Sequence, residues 1–462
     1  MNKNKYIGLS LAIVVLILSI ATPPMFGLTE LGQKTLGVLC AGLILWILEI
    51  LPFGVTGLLV IVLQPILNIA DAGTAFANFA NPTVFFVMAT FGLSLAIINT
   101  DLGFRLIRRL LRLSGNDSKK IMLSFMVATA VLSAIMSNVP VTAMFAGLAA
   151  GMLSKMGKEE GLRFGKAIML AIPFAAMIGG SMTPAGSSIN VLALDLLERF
   201  SGIRVGFVDW MAYGVPVVIM VLPLCWYILI KTFDPKDIDQ SIVDTFVHDE
   251  KIPAEFSKKE IKVLCIISIM VTLWILSTWV PFLNTTVVAV AGLILFFLPG
   301  IEVFSWKQFT DGVSWDTVIM IGGVLSIGTA AIEAGLGEWL LSLFLETFLQ
   351  LNLVTLLILL GIIIAILHLP LPLAPAIVAV AAGPIYGLAL QMGISPELLI
   401  IPLAIFASCC MLVPLDPVPV ITYSYGYFTM KNMIVAGTIT TLVWIVLLSV
   451  WTPFAGRLLN VH

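Results

Sequence analysis

The chain has 462 residues, 60% of them hydrophobic and only 11% charged, with a mean hydropathy of +1.10. A soluble domain carries about 25% charged residues, so a soluble fold is excluded and the composition is that of a polytopic membrane protein. A net charge of −2 with no basic tract gives no footprint for nucleic acid, and the five cysteines, two of them adjacent (Cys409-Cys410), lie in or beside apolar runs and read as packing residues.

In chain order, apolar segments fall near 6–22, 35–52, 53–70, 81–99, 121–153, 166–195, 208–230, 261–281, 285–300, 316–335, 352–390, 396–422 and 432–452. Most have the ~20 residues a spanning helix needs. The first follows Met1-Asn2-Lys3-Asn4-Lys5 and contains Ser19-Ile20-Ala21, a small-residue pattern like a signal-peptidase site. Membrane segments continue directly after it, so it is read as an uncleaved first span.

Two segments do not fit the span length. Residues 121–153 and 352–390 are too long for one span and too short for two with a loop between them. Pro140 interrupts the first, and Pro370, Pro372 and Pro375 interrupt the second. Each is expected to be a re-entrant helical hairpin. The tip of the first, Ser137-Asn138-Val139-Pro140-Val141-Thr142, places polar side chains mid-run. Such a break is tolerated at membrane depth only where it is buried in protein or lines a cavity.

A mixed-charge stretch, 231–260, divides the chain into halves that resemble each other. Thr83-Val84 and Leu102-Gly103 recur 234 residues later as Thr317-Val318 and Leu336-Gly337, and Ile172-Pro173 recurs 229 later as Ile401-Pro402. Thr183-Pro184 matches Val413-Pro414 at an offset of 230. Charge then orients the halves. Arg105, Arg108, Arg109, Arg112, Lys119 and Lys120 precede the first hairpin, and Lys155, Lys158, Arg163 and Lys166 follow it. Both its ends are therefore expected in the cytoplasm, as is the N-terminus. From Gln308 to Met430 there is no lysine or arginine, which puts both ends of the second hairpin outside. Inverted repeats with broken helices meeting at the midplane are the signature of secondary transporters.

The expected fold is thus all-α, with about eleven spans plus two hairpins. The expected organisation is 1–80 N-terminal scaffold spans, 81–230 the first repeat, 231–260 a cytoplasmic linker, 261–315 scaffold spans and 316–462 the second, inverted repeat.

Three places carry candidate chemistry. Ser137, Asn138 and Thr142 offer oxygens that suit Na⁺, and amides and hydroxyls that suit a carboxylate. The run Ser181-Met182-Thr183-Pro184-Ala185-Gly186-Ser187-Ser188-Ile189-Asn190 unwinds a span. It frees carbonyls for a cation before the break and N–H groups near Ser187 and Ser188 for an anion after it. In the second half, His368 begins the hairpin tip, and Asp416 precedes Pro417 and Val418 in the broken span. An acid at membrane depth is a functional candidate by default. Asp416 could hold a cation or proton or pair with His368, and His368 could itself be a cation or a neutral ring bonded to a carbonyl. Glu49 and Glu333 read as span-end acids. Trp46, Trp210, Trp279, Trp306, Trp315, Trp444 and Trp451 read as interface anchors.

Several short stretches together resemble the divalent anion:sodium symporter family, which includes bacterial dicarboxylate transporters and eukaryotic citrate, succinate and sulfate carriers. They are Trp46-Ile47-Leu48-Glu49-Ile50-Leu51-Pro52, Phe79-Ala80-Asn81-Pro82-Thr83, Ser137-Asn138 and Gly426-Tyr427-Phe428-Thr429-Met430-Lys431-Asn432. The resemblance covers nearly the whole chain. It implies a homodimer whose protomers each have a scaffold and a mobile transport domain working as an elevator. It implies a first Na⁺ site at Ser133, Ser137, Asn138 and Gly186. Substrate contacts are implied at Asn138, Val139 and Ser187, to which the reading of the residues adds Thr142, Ser188, Pro417 and Val418. Val139 stands where the family's hairpin motif has threonine. The family's second Ser-Asn-Thr motif is missing, and His368 to Pro375 occupies its place. A second Na⁺ site is therefore in question, and His368 and Asp416 are the coupling candidates there.

The expected function is secondary transport of a C4 or C5 dicarboxylate across the cytoplasmic membrane, coupled to Na⁺. A sodium-independent dicarboxylate exchanger and a carrier of sulfate or another inorganic anion, such as arsenite, are the alternatives. A channel would need a ring of repeated polar residues, and none is visible. An enzyme would need a nucleophile–base pair or a metal motif; there is no His-Glu-x-x-His, His248 lies in the linker and His462 is the last residue.

Overall fold

The computed structural model describes residues 3–461 except 26, 237, 248–254, 281, 337, 338, 340, 341, 343–347, 370–373, 410 and 415. Every regular element among the described residues is a helix. Among the described residues, seven helices are long and apolar enough to cross a membrane: Glu30–Ile47, Ala72–Ile98, Gly161–Gly180, Phe207–Phe233, Trp315–Glu333, Ala374–Met392 and Met430–Leu458. Others expected as full spans are shorter. Phe53–Ile66 has 14 residues and Thr285–Leu295 has 11, against the ~20 that cross a bilayer upright.

The helix starts are written locally. Asn81 caps Pro82–Ile98 by accepting from the Thr83 N–H, with Pro82 in the first turn, where its missing N–H costs nothing. Ser257 with Glu260, and Thr429 with Asn432, form reciprocal caps at the starts of Lys258–Leu276 and Met430–Leu458.

The 121–153 stretch is two helices, Ser118–Ser133 and Asn138–Leu153, separated by four residues. The 352–390 stretch is likewise Leu353–Leu367 and Ala374–Met392; most of its tip, from Pro370 to Leu373, lies outside the described residues. Both proline-broken spans are interrupted. Lys158–Gly180 gives way to a single 3₁₀ turn, Pro184–Gly186, and then to Ser188–Ser201. Glu397–Ala407 is followed by the short helix Pro417–Tyr423.

These two leading segments are the core. From Ala167 to Ile178, and from Leu398 to Ala407, the hydrophobic side chains on every face are buried, as expected of helices apolar all round. Close packing needs small residues there. A Cβ on Gly179 would meet the backbone of Ala130 on Ser118–Ser133. By contrast, Met430–Leu458 keeps an exposed apolar face.

A second body of contacts joins Phe53–Ile66 to Trp315–Glu333. Gly57 and Gly323 let the backbones meet, since a Cβ on Gly323 would lie 2.6 Å from the Gly57 Cα. Gln64 Nε2 donates to Ser326 Oγ at 2.8 Å, and Ser326 Oγ donates to the Ala75 carbonyl at 2.7 Å. These bonds satisfy polar groups buried between apolar helices.

The basic segments converge on one face. Ser118 Oγ donates to the Pro235 carbonyl at 3.1 Å and the Ile238 N–H to the Asn116 carbonyl at 3.1 Å. Arg105 Nε donates to Glu260 Oε1 at 2.6 Å, an ion pair almost closed to solvent.

The tryptophans correct the sequence reading. Trp46, Trp210 and Trp444 are buried to 1% or less, so they are core residues, whereas Trp279, Trp306 and Trp315 are exposed. Their indole N–H groups explain two of the three: Trp46 donates to the Phe53 carbonyl at 3.1 Å and Trp210 to the Ser181 carbonyl at 3.1 Å. Glu49 and Glu333 do lie at helix ends, Glu49 in a turn with φ +45°.

Candidate functional site

Ser133 ends the first helix of the first hairpin and Asn138 begins the second. Ser137 precedes the second helix without a side-chain capping bond. Here buried oxygens lack partners. Ser133 Oγ, Asn138 Oδ1 and Thr142 Oγ1, with Thr129 Oγ1 one turn below, make no hydrogen bond among the described residues. Each such group costs about 1–3 kcal/mol when left unsatisfied, so their concentration at one tip points to a missing partner. Val139 and Pro140 beside them are half-buried.

The broken helix lies directly against this tip. The Asn138 side chain packs on Gly180, where an added Cβ would sit 2.8 Å from Nδ2. A Cβ on Gly186 would lie 2.7 Å from the Ser133 carbonyl oxygen and closer still to that of Gly180. Glycine at 186 is a packing requirement because its neighbours are backbone atoms, whereas a side chain at 180 would displace Asn138. Thr183 Oγ1 donates to the Ala134 carbonyl, tying the break to the hairpin turn.

The break disposes of most of its freed carbonyls. Asn190 Nδ2 donates to Gly180 O at 2.9 Å and Thr183 O at 2.8 Å. Trp210 takes Ser181 O. Beyond the break, Ser187 is the N-cap of Ser188–Ser201 and accepts from the Ile189 N–H at 3.3 Å; Ser187 is buried and Ser188 half-buried.

The second half meets the first at this point. Ser408 Oγ donates to Asn190 Oδ1 at 3.3 Å, joining the two breaks. Pro417–Tyr423 packs against both Asn138–Leu153 and Lys158–Gly180. Ser133, Ser137, Asn138, Thr142, Gly186, Ser187 and Ser188 thus form one neighbourhood, and the helix carrying Pro417 and Val418 borders it. Val418 is buried and Pro417 exposed.

His368 and Asp416 behave differently from one another. The His368 ring is 1% exposed, with Nδ1 2.8 Å from the Ile364 carbonyl and Nε2 3.0 Å from the Ala407 carbonyl. Carbonyls only accept, so both contacts are hydrogen bonds only when both ring nitrogens carry protons. Asp416 is the N-cap of Pro417–Tyr423, its Oδ1 accepting from the Val418 N–H at 2.9 Å. No ion pair joins the two among the described residues, and each is held by backbone groups instead. Cys410, His248 and His462 lie outside the described residues, and Cys409 is buried.

Sequence reasoning missed Ser408 and the double role of Asn190. Ser408 is one residue past the end of an apolar helix, and only the fold brings it to Asn190 across 218 positions.

The donor set at the first tip is wholly oxygen, which suits a hard cation, and the adjoining break presents a helix start that suits an anion. Broken helices in a mostly apolar, all-helical chain define a multi-pass membrane transporter rather than an enzyme. The citrate transporter family matches residues 43–405, and the chain belongs to that family. It is 26% identical to the sodium-dependent dicarboxylate transporter SdcS of Staphylococcus saprophyticus, over 97% of this chain and 90% of that protein. It is 24% identical to the sodium-dependent high-affinity dicarboxylate transporter 3 of Caenorhabditis elegans, over 72% of this chain and 68% of that protein. Its fold is similar to that of the MtrF antimetabolite efflux pump of Neisseria gonorrhoeae, with a TM-score of 0.59 at 14% identity, covering 98% of this chain and 95% of the other. The YdaH transporter of Alcanivorax borkumensis gives a TM-score of 0.55 at 15% identity, covering 98% and 99%.

Proposed function

We propose that the protein carries a C4 or C5 dicarboxylate, such as succinate, malate, fumarate or 2-oxoglutarate, across the cytoplasmic membrane in symport with Na⁺. The observation that carries this reading is the set of partnerless buried oxygens at the first hairpin tip, Ser133 Oγ, Asn138 Oδ1 and Thr142 Oγ1, against Gly180 and Gly186. Ser133, Ser137, Asn138 and Gly186 would hold the ion, which supplies positive charge beside a dianion. Asn138, Val139, Thr142, Ser187 and Ser188, with Pro417 and Val418 from the other half, would face the substrate. The names of the relatives, dicarboxylate and sodium-dependent, support the same reading.

In this scheme 81–230 and 316–462 are inverted repeats, joined by a cytoplasmic linker at 231–260. Residues 1–80 and 261–315 contribute to a scaffold. Two protomers form a dimer, and the hairpins and broken helices move as an elevator. The test is uptake of labelled succinate into proteoliposomes. External Na⁺ is expected to stimulate it strongly over choline; equal uptake in choline buffer removes the symport reading.

One observation favours a second reading, a sodium-independent exchanger. His368 already spans two carbonyls where a second cation would be sought. With both ring nitrogens turned to backbone carbonyls, His368 has none free for a second cation, which leaves exchangeable Na⁺ to the first half alone, or to neither.

A further inference from the structure

On the basic face, away from the hairpin tip, a cavity of about 340 Å³ opens among three helix ends. Arg163 and Lys166 come from the start of Lys158–Gly180, Thr232 from the end of Phe207–Phe233, and Lys431, Asn432 and Val435 from the start of Met430–Leu458. Three cations line it and no carboxylate does. Among the described residues, none of the three is in an ion pair. Three like charges around one cavity repel one another, and an anion between them removes that cost.

The apolar surface above the cavity narrows the class of anion. Met430–Leu458 has 29 residues and Phe207–Phe233 has 27. At 1.5 Å per residue both are ~40 Å long, more than the ~30 Å of hydrocarbon, so their ends reach the headgroup layer. From Val435, which lines the cavity, an exposed apolar stripe climbs the same helix: Val435, Ile439, Leu442, Val446 and Val450, each 44–50% exposed. Their spacing of three or four places them on one face. Lys231 lies over the Tyr227 ring at 5.6 Å on the neighbouring helix, an interfacial pairing at the same level.

We infer that this cavity is a binding site for an anionic phospholipid, its headgroup phosphate held by Arg163, Lys166 and Lys431 and an acyl chain lying along Val435 to Val450. A basic pocket between membrane helices, opening onto a lipid-facing stripe, has the chemistry that anionic headgroups require. The lipid would tie the second and third turns of the broken helix to the last helix of the chain.

The test is thermal unfolding of the full-length protein in neutral detergent, titrated with phosphatidylglycerol or phosphatidylcholine. Phosphatidylglycerol is expected to raise the midpoint and phosphatidylcholine to leave it unchanged. Arg163→Gln, Lys166→Gln and Lys431→Gln should each weaken the lipid effect about fivefold, and together on the order of a hundredfold. Lys431→Gln alone serves if the triple variant does not fold. The exposed pair Lys119→Gln and Lys120→Gln, outside the cavity, should change nothing. Three results overturn the assignment: an equal rise with millimolar inorganic phosphate that Lys431→Gln abolishes, which makes it a site for a soluble anion; an unaltered response of Lys431→Gln to phosphatidylglycerol; or an equal loss in the Lys119→Gln, Lys120→Gln control.

Discussion

Asp416 shows how one residue can be read two ways. In the sequence it is an acid in an apolar segment, and a functional candidate on that ground. In the fold its carboxylate caps Pro417–Tyr423 through the Val418 N–H. Asparagine caps as well as aspartate, and alanine costs about 1 kcal/mol at such a position. Asp416→Asn is therefore expected to keep both stability and the ion dependence of uptake, while Asp416→Ala lowers the unfolding midpoint. Loss of ion dependence in Asp416→Asn would return the carboxylate to the coupling machinery. Asn138 was legible for the opposite reason: a Ser-Asn pair beside a proline, mid-span, has no structural economy, and in the fold its Oδ1 indeed lacks a partner. Trp46 and Trp210 were not legible as core residues, because burial of an indole depends on which carbonyl the fold brings to it.

At the scale of elements, the over-long apolar stretches announced the hairpins, and the prolines and glycines announced the breaks, because these are local violations of span length and helix propensity. What holds them together was hidden. Asn190 and Ser408, or Gln64 and Ser326, are pairs hundreds of positions apart that carry no periodic signal. The same is true of a polar contact at the far end of the broken helix. Asp195 Oδ2 accepts from Asn81 Nδ2 at 3.0 Å and from Arg199 Nε at 2.8 Å, and Arg199 Nη1 donates to Asn78 Oδ1 at 3.3 Å. Helix Ser188–Ser201 also packs on the second half's Ala374–Met392 and Glu397–Ala407. If the broken helices move against the remaining helices during transport, this contact must part. Cysteines replacing Asn81 and Asp195, in a background without the five native ones, are expected to be bridged by mercuric ion with uptake halted and then restored by a thiol. Bridging with uptake unchanged would mean that the two helices move together.

For the whole molecule, orientation follows from where the charges gather. The segments around Arg105, Asn116, Ser118, Pro235 and Glu260 contact one another, so the basic residues near them share a face rather than scattering over two. The stretch from Gln308 to Met430 has no basic residue and includes the whole second hairpin. Lysine and arginine are retained on the cytoplasmic side during insertion, so the two hairpins are expected to open to opposite sides. Gly393 has φ +67°, where any side chain is strained, so the neighbouring exposed Gln391 is the better reporter. Its partner is the exposed Lys119. In intact cells a membrane-impermeant thiol reagent is expected to label Gln391→Cys and spare Lys119→Cys, and in inside-out vesicles the pattern should reverse. Labelling of both from one side would remove the inverted arrangement. The first tip would then have no opposing jaw, and the contact of Ser408 with Asn190 would join two segments that enter from the same side.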